Sequence, residues 1–493
     1  MLKDYVRPDD GLDKEARKEE TKRLQKLLTA QQVSIREAKL PVIVLVEGWA
    51  ASGKGRLINL LISEIDPRFS SVFCGEARTA EANRYPFLYP YFCALPEDGT
   101  FLFMDAGWME GAVREKCTKV TDEELFQRRI RSVNRFERQL RDNGYLVLKL
   151  FVNISKEEQT KRQDELRSSS TTSWRTSEYD EYQNTHYSRF RDAYSEFMEA
   201  TSDIFPWHVL DGTKYGKLNY DAYLLLTETV SAGVASGKYH GKAFDEYFPM
   251  HETPRLSDID LSVKMDKDEY RKELKKLQDK IFDLHNRIYR KRIPVIVCYE
   301  GWDAAGKGGN IRRLAYPLDP RGFDTYPIAS PEPHELARHY LWRFWRRLPR
   351  TGHVAIFDRT WYGRVMVERI EGFCTEDDWK RAYNEINEFE SDLHDWGAVI
   401  LKFWIHIDQE TQLARFNDRQ NDPSKQWKIT EEDWRNREKW PQYEEAVSEM
   451  LEKTSTEFAP WHIIESNDKL YARIKTLRIV VDALENAIKE RDD

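Results

Sequence analysis

The stretch Gly301-Trp302-Asp303-Ala304-Ala305-Gly306-Lys307-Gly308-Gly309 has the residue types and spacing of a loop that holds phosphate. Glycines let backbone N–H groups come close to phosphate oxygens, a helix starting at the loop adds its positive end, and Lys307 adds a formal charge. The candidate contacts are Gly301, Ala304, Ala305, Gly306, Gly308 and Gly309 from the backbone. In many such loops the residue after the lysine is a Ser or Thr that holds Mg²⁺; here it is Gly308, which leaves Asp303 and Asp358 as candidate metal ligands. Asp358 ends the apolar run Val354-Ala355-Ile356-Phe357 and opens Asp358-Arg359-Thr360-Trp361-Tyr362-Gly363-Arg364, a carboxylate followed by two arginines. Two further basic sets could hold a polyanion. Arg343, Arg346, Arg347 and Arg350 have helical spacing and are expected on one face. Arg415 and Arg419, four apart on a predicted helix, are followed by Asp422 to Lys428 with Lys425 and Lys428, a pattern expected of a cationic lid. Each set has a plainer reading: a glycine turn without ligand, an Asp358–Arg359 surface ion pair, or a solvated basic face.

An incomplete copy of the loop, Gly48-Trp49-Ala50-Ala51-Ser52-Gly53-Lys54-Gly55-Arg56, lies 253 residues upstream. The same offset carries Pro294 onto Pro41, Asp358 onto Asp105, Trp361 onto Trp108 and Trp427 onto Trp174; an inserted residue then shifts it to 254, where Pro460-Trp461-His462 meets Pro206-Trp207-His208. The chain is a tandem repeat. The copies differ where charge would meet phosphate: Asp303 becomes Ala50, Arg359 becomes Ala106, Arg364 becomes Gly111 and Arg419 becomes Leu166. The first copy is therefore expected to be degenerate and non-catalytic.

The elements that must position these residues follow from periodicity. Each loop follows an apolar run (Pro41 to Val46, Pro294 to Tyr299) and precedes a helical stretch. In the second half, strand-like runs at Val295 to Tyr299, Val354 to Phe357, Val399 to Ile407 and His462 to Glu465 alternate with helical segments, which implies a parallel sheet covered by helices, with ligands at the carboxyl ends of its strands. The expected division is an N-terminal domain 1–236, a Gly-, Pro-, Asp- and Ser-rich linker 237–266 and a C-terminal catalytic domain 267–493. With 493 residues, a hydrophobic content of 40% and fifteen Trp, the chain can fill a core in each half. No apolar run approaches the ~20 residues of a membrane span, the charged start is no signal peptide, and the five cysteines form no Cys-x-x-Cys pair. A cytoplasmic protein is expected. Its net charge of -8 argues against a nucleic-acid partner and for local basic clusters.

Several motifs together resemble the second family of polyphosphate kinases: the loop Gly301 to Gly309, Tyr-Leu-Trp-Arg at Tyr340 to Arg343, Asp358 to Arg364, Val-Glu-Arg-Ile-Glu-Gly-Phe-Cys at Val367 to Cys374, and Lys-Gln-Trp-Lys-Ile-Thr at Lys425 to Thr430. The tandem arrangement is similar to the two-domain class that transfers phosphate from polyphosphate to AMP. The resemblance implies an α/β P-loop kinase fold with a helical lid in each half. It further implies dependence on Mg²⁺, with Mn²⁺ as a substitute, and reversible transfer between polyphosphate and AMP/ADP in the second half, with homo-oligomers allowed. The rival readings are an NTP-dependent small-molecule kinase on the same scaffold and a non-catalytic protein that binds polyphosphate or associates with nucleic acid.

Overall fold

A computed structural model describes residues 2–3, 5, 11–75, 81–243, 246–424, 426, 429 and 431–492. The chain divides into two compact units, the first made of Met1–Asn83, Phe87–Gly241 and Pro333–Trp342, the second of Arg84–Pro86, Lys242–Glu332 and Arg343–Asp493.

In the first unit, β1 (Val42–Gly48), β2 (Ser70–Cys74), β3 (Phe101–Asp105), β4 (Leu146–Asn153) and β5 (Trp207–Asp211) form one sheet in the order β2-β3-β1-β4-β5. All its pairings are parallel. The core on one face joins Leu24, Leu28 and Ile35 of helix Lys14–Glu37 and Leu226 and Val230 of helix Tyr215–Ser236 to the strands. Asp13 starts the first of these helices by accepting the Ala16 N–H, a side-chain cap for an otherwise orphaned donor.

The second unit repeats this plan with β6 (Val295–Gly301), β7 (Phe323–Pro327), β8 (Val354–Asp358), β9 (Val399–His406) and β10 (Trp461–Glu465), ordered β7-β8-β6-β9-β10 and again all parallel. The edge strand β7 is absent from the sequence reading, which found four strands here. Its residues are half-buried or exposed throughout, so no apolar run marks it. The central strand β6 is buried from Val295 to Glu300. Its pairing sets Tyr299 beside Asp358, which brings the loop after β6 and the end of β8 together at the carboxyl edge.

Each sheet buries a charged residue in mid-strand. Lys149 of β4 meets Glu137 at 2.7 Å and Lys402 of β9 meets Glu390 at 2.8 Å, all four side chains fully buried. Lys402 also donates to the Thr454 carbonyl (2.6 Å) and to Tyr362 Oη (2.9 Å), so every proton of its ammonium has an acceptor. Such a pair adds little net stability but is costly to break.

Candidate active site

The second loop is shaped by close packing. Gly301 has φ 148°, and a Cβ there would lie 2.4 Å from the Ile405 carbonyl of β9, so only glycine fits. Gly306 (φ 116°) caps helix Lys307–Ala315 in a left-handed conformation. Lys307 Nζ curls back to the carbonyls of Gly301 (2.6 Å) and Trp302 (3.3 Å), which centres its charge over the loop. Ser466 Oγ donates to the Ala305 carbonyl at 2.7 Å.

Arg415 does not extend a cationic lid. Its buried guanidinium donates to the carbonyls of Ala304 (3.0 Å) and Ala305 (2.8 Å) and to those of Ser466 (2.5 Å) and Asn467 (3.1 Å). It braces the loop from beneath, where four carbonyls need a donor. Arg419 lies half-buried in the last turn of the same helix, Gln409–Asn421. Lys425 and Lys428 lie outside the described residues.

The basic face expected of Arg343, Arg346 and Arg347 is also corrected. The helix there is one turn, Trp342–Trp345, followed by i→i−3 bonds from Arg347 to Phe344 and from Leu348 to Trp345, and Pro349 has no N–H to carry it further. Arg343 is buried and donates to the Ala329 carbonyl at 2.9 Å, Arg347 is half-buried, and Arg346 is exposed. The three do not share a face.

The carboxylates and arginines converge better. Asp303 Oδ1 accepts from Arg359 (3.2 Å) and Oδ2 from Asn436 (3.0 Å). Arg359 holds a left-handed backbone (φ 65°) directly after β8, and its own N–H reaches the Tyr299 carbonyl at 3.0 Å. Asp358 stands half-buried at the strand end, and among the described residues its carboxylate accepts no hydrogen bond. Arg364 instead pairs with Glu368 one turn on, at 2.9 Å. Behind this segment, Glu390 accepts from Trp361 Nε1 (3.0 Å) and Tyr362 Oη (2.6 Å), so the buried Lys402–Glu390 pair anchors the loop that carries Arg359.

Three participants escaped the sequence reading. Asn436 comes from helix Glu431–Glu438 and fixes Asp303. Trp440 stacks on Trp302 with centroids 3.7 Å apart, while Trp302 Nε1 donates to His406 Nδ1 at 3.1 Å; burial holds that imidazole neutral by lowering its pKa to about 4. Glu300, the residue before the loop, is buried and accepts from the N–H (2.7 Å) and hydroxyl (2.8 Å) of Thr360. Burial pushes its carboxyl pKa upward, opposed by the Lys307 charge. The signal for Glu300 was its recurrence as Glu47 ahead of the first loop.

The first loop reproduces the frame. Lys54 reaches the carbonyls of Gly48 and Trp49, both at 3.1 Å, and Arg162 braces Ser52 (3.0 Å) and Gly212 (2.7 Å) as Arg415 braces its loop. The contents differ. The Ala50 N–H is taken by Gln183 Oε1 at 2.8 Å. Where the second half has Gly363, the first has Glu110, which accepts from Tyr179 Oη (2.8 Å) and Tyr194 Oη (2.5 Å). Tyr179 occupies the position of Glu432, and Arg114 lies 3.5 Å over its ring. Side chains fill the space that Gly301, Asp303, Arg359, Gly363, Glu432 and Asn436 line as an open pocket in the second half.

A parallel sheet in this order, a glycine-lined loop feeding a helix, and a carboxylate at the end of the adjacent strand define a P-loop phosphotransferase scaffold. The chain belongs to the polyphosphate kinase 2 family: it matches that family over residues 11–231 and 264–492. It is 39% identical to a polyphosphate:AMP phosphotransferase of Pseudomonas syringae pv. tomato over 94% of both chains, and 36% identical to one of Acinetobacter johnsonii over 90% of both. A crystal structure of a Pseudomonas aeruginosa PA01 protein described as polyphosphate kinase 2 superposes with a TM-score of 0.83 at 36% identity, covering 97% of each chain. A relative from Ruegeria pomeroyi named NDP-polyphosphate phosphotransferase 3 matches 45% of the chain at 36% identity.

Proposed function

We propose that the protein is a polyphosphate:AMP phosphotransferase whose second half carries the reaction: the terminal phosphoryl group of inorganic polyphosphate passes to the phosphate of AMP, giving ADP and a chain one unit shorter. The observation that carries this reading is the open pocket in which Asp303, Arg359 and Asn436 are tied together against the Lys307 loop, set beside the filled pocket of the first half.

An anhydride bond to the terminal phosphorus breaks as an oxygen of AMP forms a new one, so charge builds on the transferring group and on the leaving chain. Positioning and charge neutralisation are what such a transfer needs. Lys307 and the N–H groups at the start of its helix hold the donor's terminal phosphates. Arg359, fixed by Asp303, stands where the incoming phosphate meets the loop and draws the two anions together. No general base is needed, because the AMP phosphate is already ionised at neutral pH. Glu300 orients the segment after β8 through Thr360.

A divalent cation fits the donor set. Among the described residues no group of three His, Cys, Asp or Glu forms a metal cage, but Mg²⁺ commonly binds through one or two carboxylates with water and substrate phosphates filling the rest. Asp358, whose carboxylate accepts no hydrogen bond among the described residues, and Asp303 would hold it, and Mn²⁺ has the same needs. The ion would supply further charge neutralisation. Because one anhydride replaces another, the reaction runs in either direction. Among the described residues no helix is long and apolar enough to cross a membrane, and we place the reaction in the cytoplasm.

The test is to incubate the protein with Mg²⁺, polyphosphate and AMP and follow ADP. ADP formation that disappears in Lys307→Ala supports the reading. ADP formed only when ATP replaces polyphosphate would make the protein an NTP-dependent kinase, and binding without ADP would make it a polyphosphate-binding protein.

A further inference from the structure

The loop has a second charged flank, at its Gly309 end. Lys469 and Arg473 stand one turn apart at the start of helix Lys469–Glu490, which packs on helix Lys307–Ala315. The Arg473 guanidinium lies 3.3 Å from where a Cβ on Gly309 would be. Arg415, already braced on the loop carbonyls, and Arg419, one turn further along its helix, face the same place. Partial burial first, then the charges of Arg415, Arg473 and Arg419, bring the Lys469 ammonium down to about 8. The carboxylates in reach offset this only in part. Asp468 is engaged as a helix cap by the N–H groups of Leu470 (2.6 Å) and Tyr471 (3.0 Å), and Asp418 pulls the Lys469 pKa upward against the larger lowering causes. Cations crowded in this way are stabilised by any anion that enters.

The first half shows what the scaffold carries without that charge. Leu166, Tyr215 and Asn219 stand in the places of Arg419, Lys469 and Arg473. The Tyr215 ring lies 3.1 Å from a Cβ position on Gly53 and stacks under the guanidinium groups of Arg56 at 4.0 Å and Arg162 at 5.0 Å. An aromatic ring at this spot suits the flat face of a base; the second half offers charge there instead.

Resting on the reading above that polyphosphate is the donor, we propose that Lys469, Arg473 and Arg419 form a tail subsite that binds the donor's phosphates beyond those held by the Lys307 loop. The acceptor pocket of Asp303, Arg359 and Asn436 lies at the Trp302 end of the loop, so the donor chain crosses the loop from one flank toward the other. The subsite makes affinity depend on chain length: a short donor is held by the loop, and a long one gains the flank as well.

The test compares the full chain with Lys469→Gln/Arg473→Gln, using tripolyphosphate and long-chain polyphosphate as donors to AMP. The KM ratio of long chain to tripolyphosphate should rise about tenfold in the variant, as expected for the loss of two charge-assisted contacts. An unchanged ratio, whether both KM values rise together or neither moves, overturns the subsite. The pair Lys469→Tyr/Arg473→Asn, which the same scaffold already accommodates in the first half, repeats the measurement should the glutamine variant not fold. If the parent makes no ADP from either donor, the reaction assigned above is wrong; calorimetric titration with long-chain polyphosphate alone still decides the flank, since a weakened variant supports it and equal affinity overturns it.

Discussion

The two phosphate loops share a frame and differ in what fills it. In both, a lysine curls onto the first two loop carbonyls, a buried arginine braces the underside, and a buried glutamate precedes the first glycine. In the second half the space above this frame is open and rimmed by Asp303, Arg359 and Asn436. In the first half it is closed by Glu110, Tyr179 and Gln183, which satisfy one another and the loop. The comparison separates a shared frame from what differs above it: Lys54 and Lys307, Arg162 and Arg415, and Glu47 and Glu300 shape both loops alike, whereas Asp303, Arg359 and Asn436 line a pocket in the second half alone.

The widest difference should come from paired substitutions of the lysines. Lys307→Ala should lower ADP formation by about 10² to 10⁴, because it removes a cation facing the transferring group, and Asp303→Asn and Asp358→Asn should cost as much by weakening the hold on the divalent cation and, for Asp303, on Arg359; Lys54→Ala should leave the rate within about threefold of the parent. Equal losses in two folded lysine variants would erase the distinction between the halves. Next, Gly363→Glu imports the first half's plug into the open pocket. It should lower kcat/KM for AMP by about 10², with a smaller effect on polyphosphate affinity in a direct titration; unaltered use of AMP would mean that Gly363 does not border the acceptor.

Stability should respond symmetrically where activity does not. Lys402→Met and Lys149→Met each strand a buried glutamate and should cost about 3 to 5 kcal/mol, read from denaturant unfolding. Markedly unequal values would show that the shared frame is not equivalent in the two copies. The smallest effect concerns Glu47, whose carboxyl is pushed up to about 8, first by burial and then by Glu110. The folded protein thus holds a proton that the unfolded chain releases near 4.5. The stability from Glu47 is fully present below that pH and is lost as pH rises toward 8. Glu47→Gln should remove this slope, so that its Tm gains on the parent by a few degrees between pH 5 and pH 8; parallel Tm curves would mean that Glu47 is ionised when folded.

Much of this was legible because duplication makes one chain its own comparison. The offset between copies located both loops, and the apolar runs located four strands of the second sheet. The edge strand β7 was not legible, since a strand exposed on both faces has no apolar run to show. Asp303 and Arg359 were each marked by their motifs, but their contact, and its third member Asn436, which lies 133 residues from Asp303, could be found only by folding. The arginines misled in two ways. A guanidinium reads as a substrate contact in sequence whether it faces phosphate, as expected of Arg359, or props up carbonyls, as Arg415 does. The survival of Arg162 opposite Arg415 was the available clue. The spacing of Arg343, Arg346 and Arg347 promised a helical face, but the helix there is a single turn, Trp342–Trp345.

Backbone strain tells the same story by another route. Left-handed residues other than glycine stand at matching places in both copies: Lys39 and Arg292, Ala51 and Ala304, Ala106 and Arg359, with φ between 52° and 65°. Strain of this kind often collects at active sites and is commonly credited to catalysis. Here a copy with a plugged pocket has kept each twist, so the twists belong to the joints of the shared frame: the turn from helix to strand, the loop itself and the exit from the adjacent strand. Such joints form a chassis that outlives its engine, and the plugged copy is accordingly a natural starting point for installing a new anion-binding pocket without redesigning the backbone.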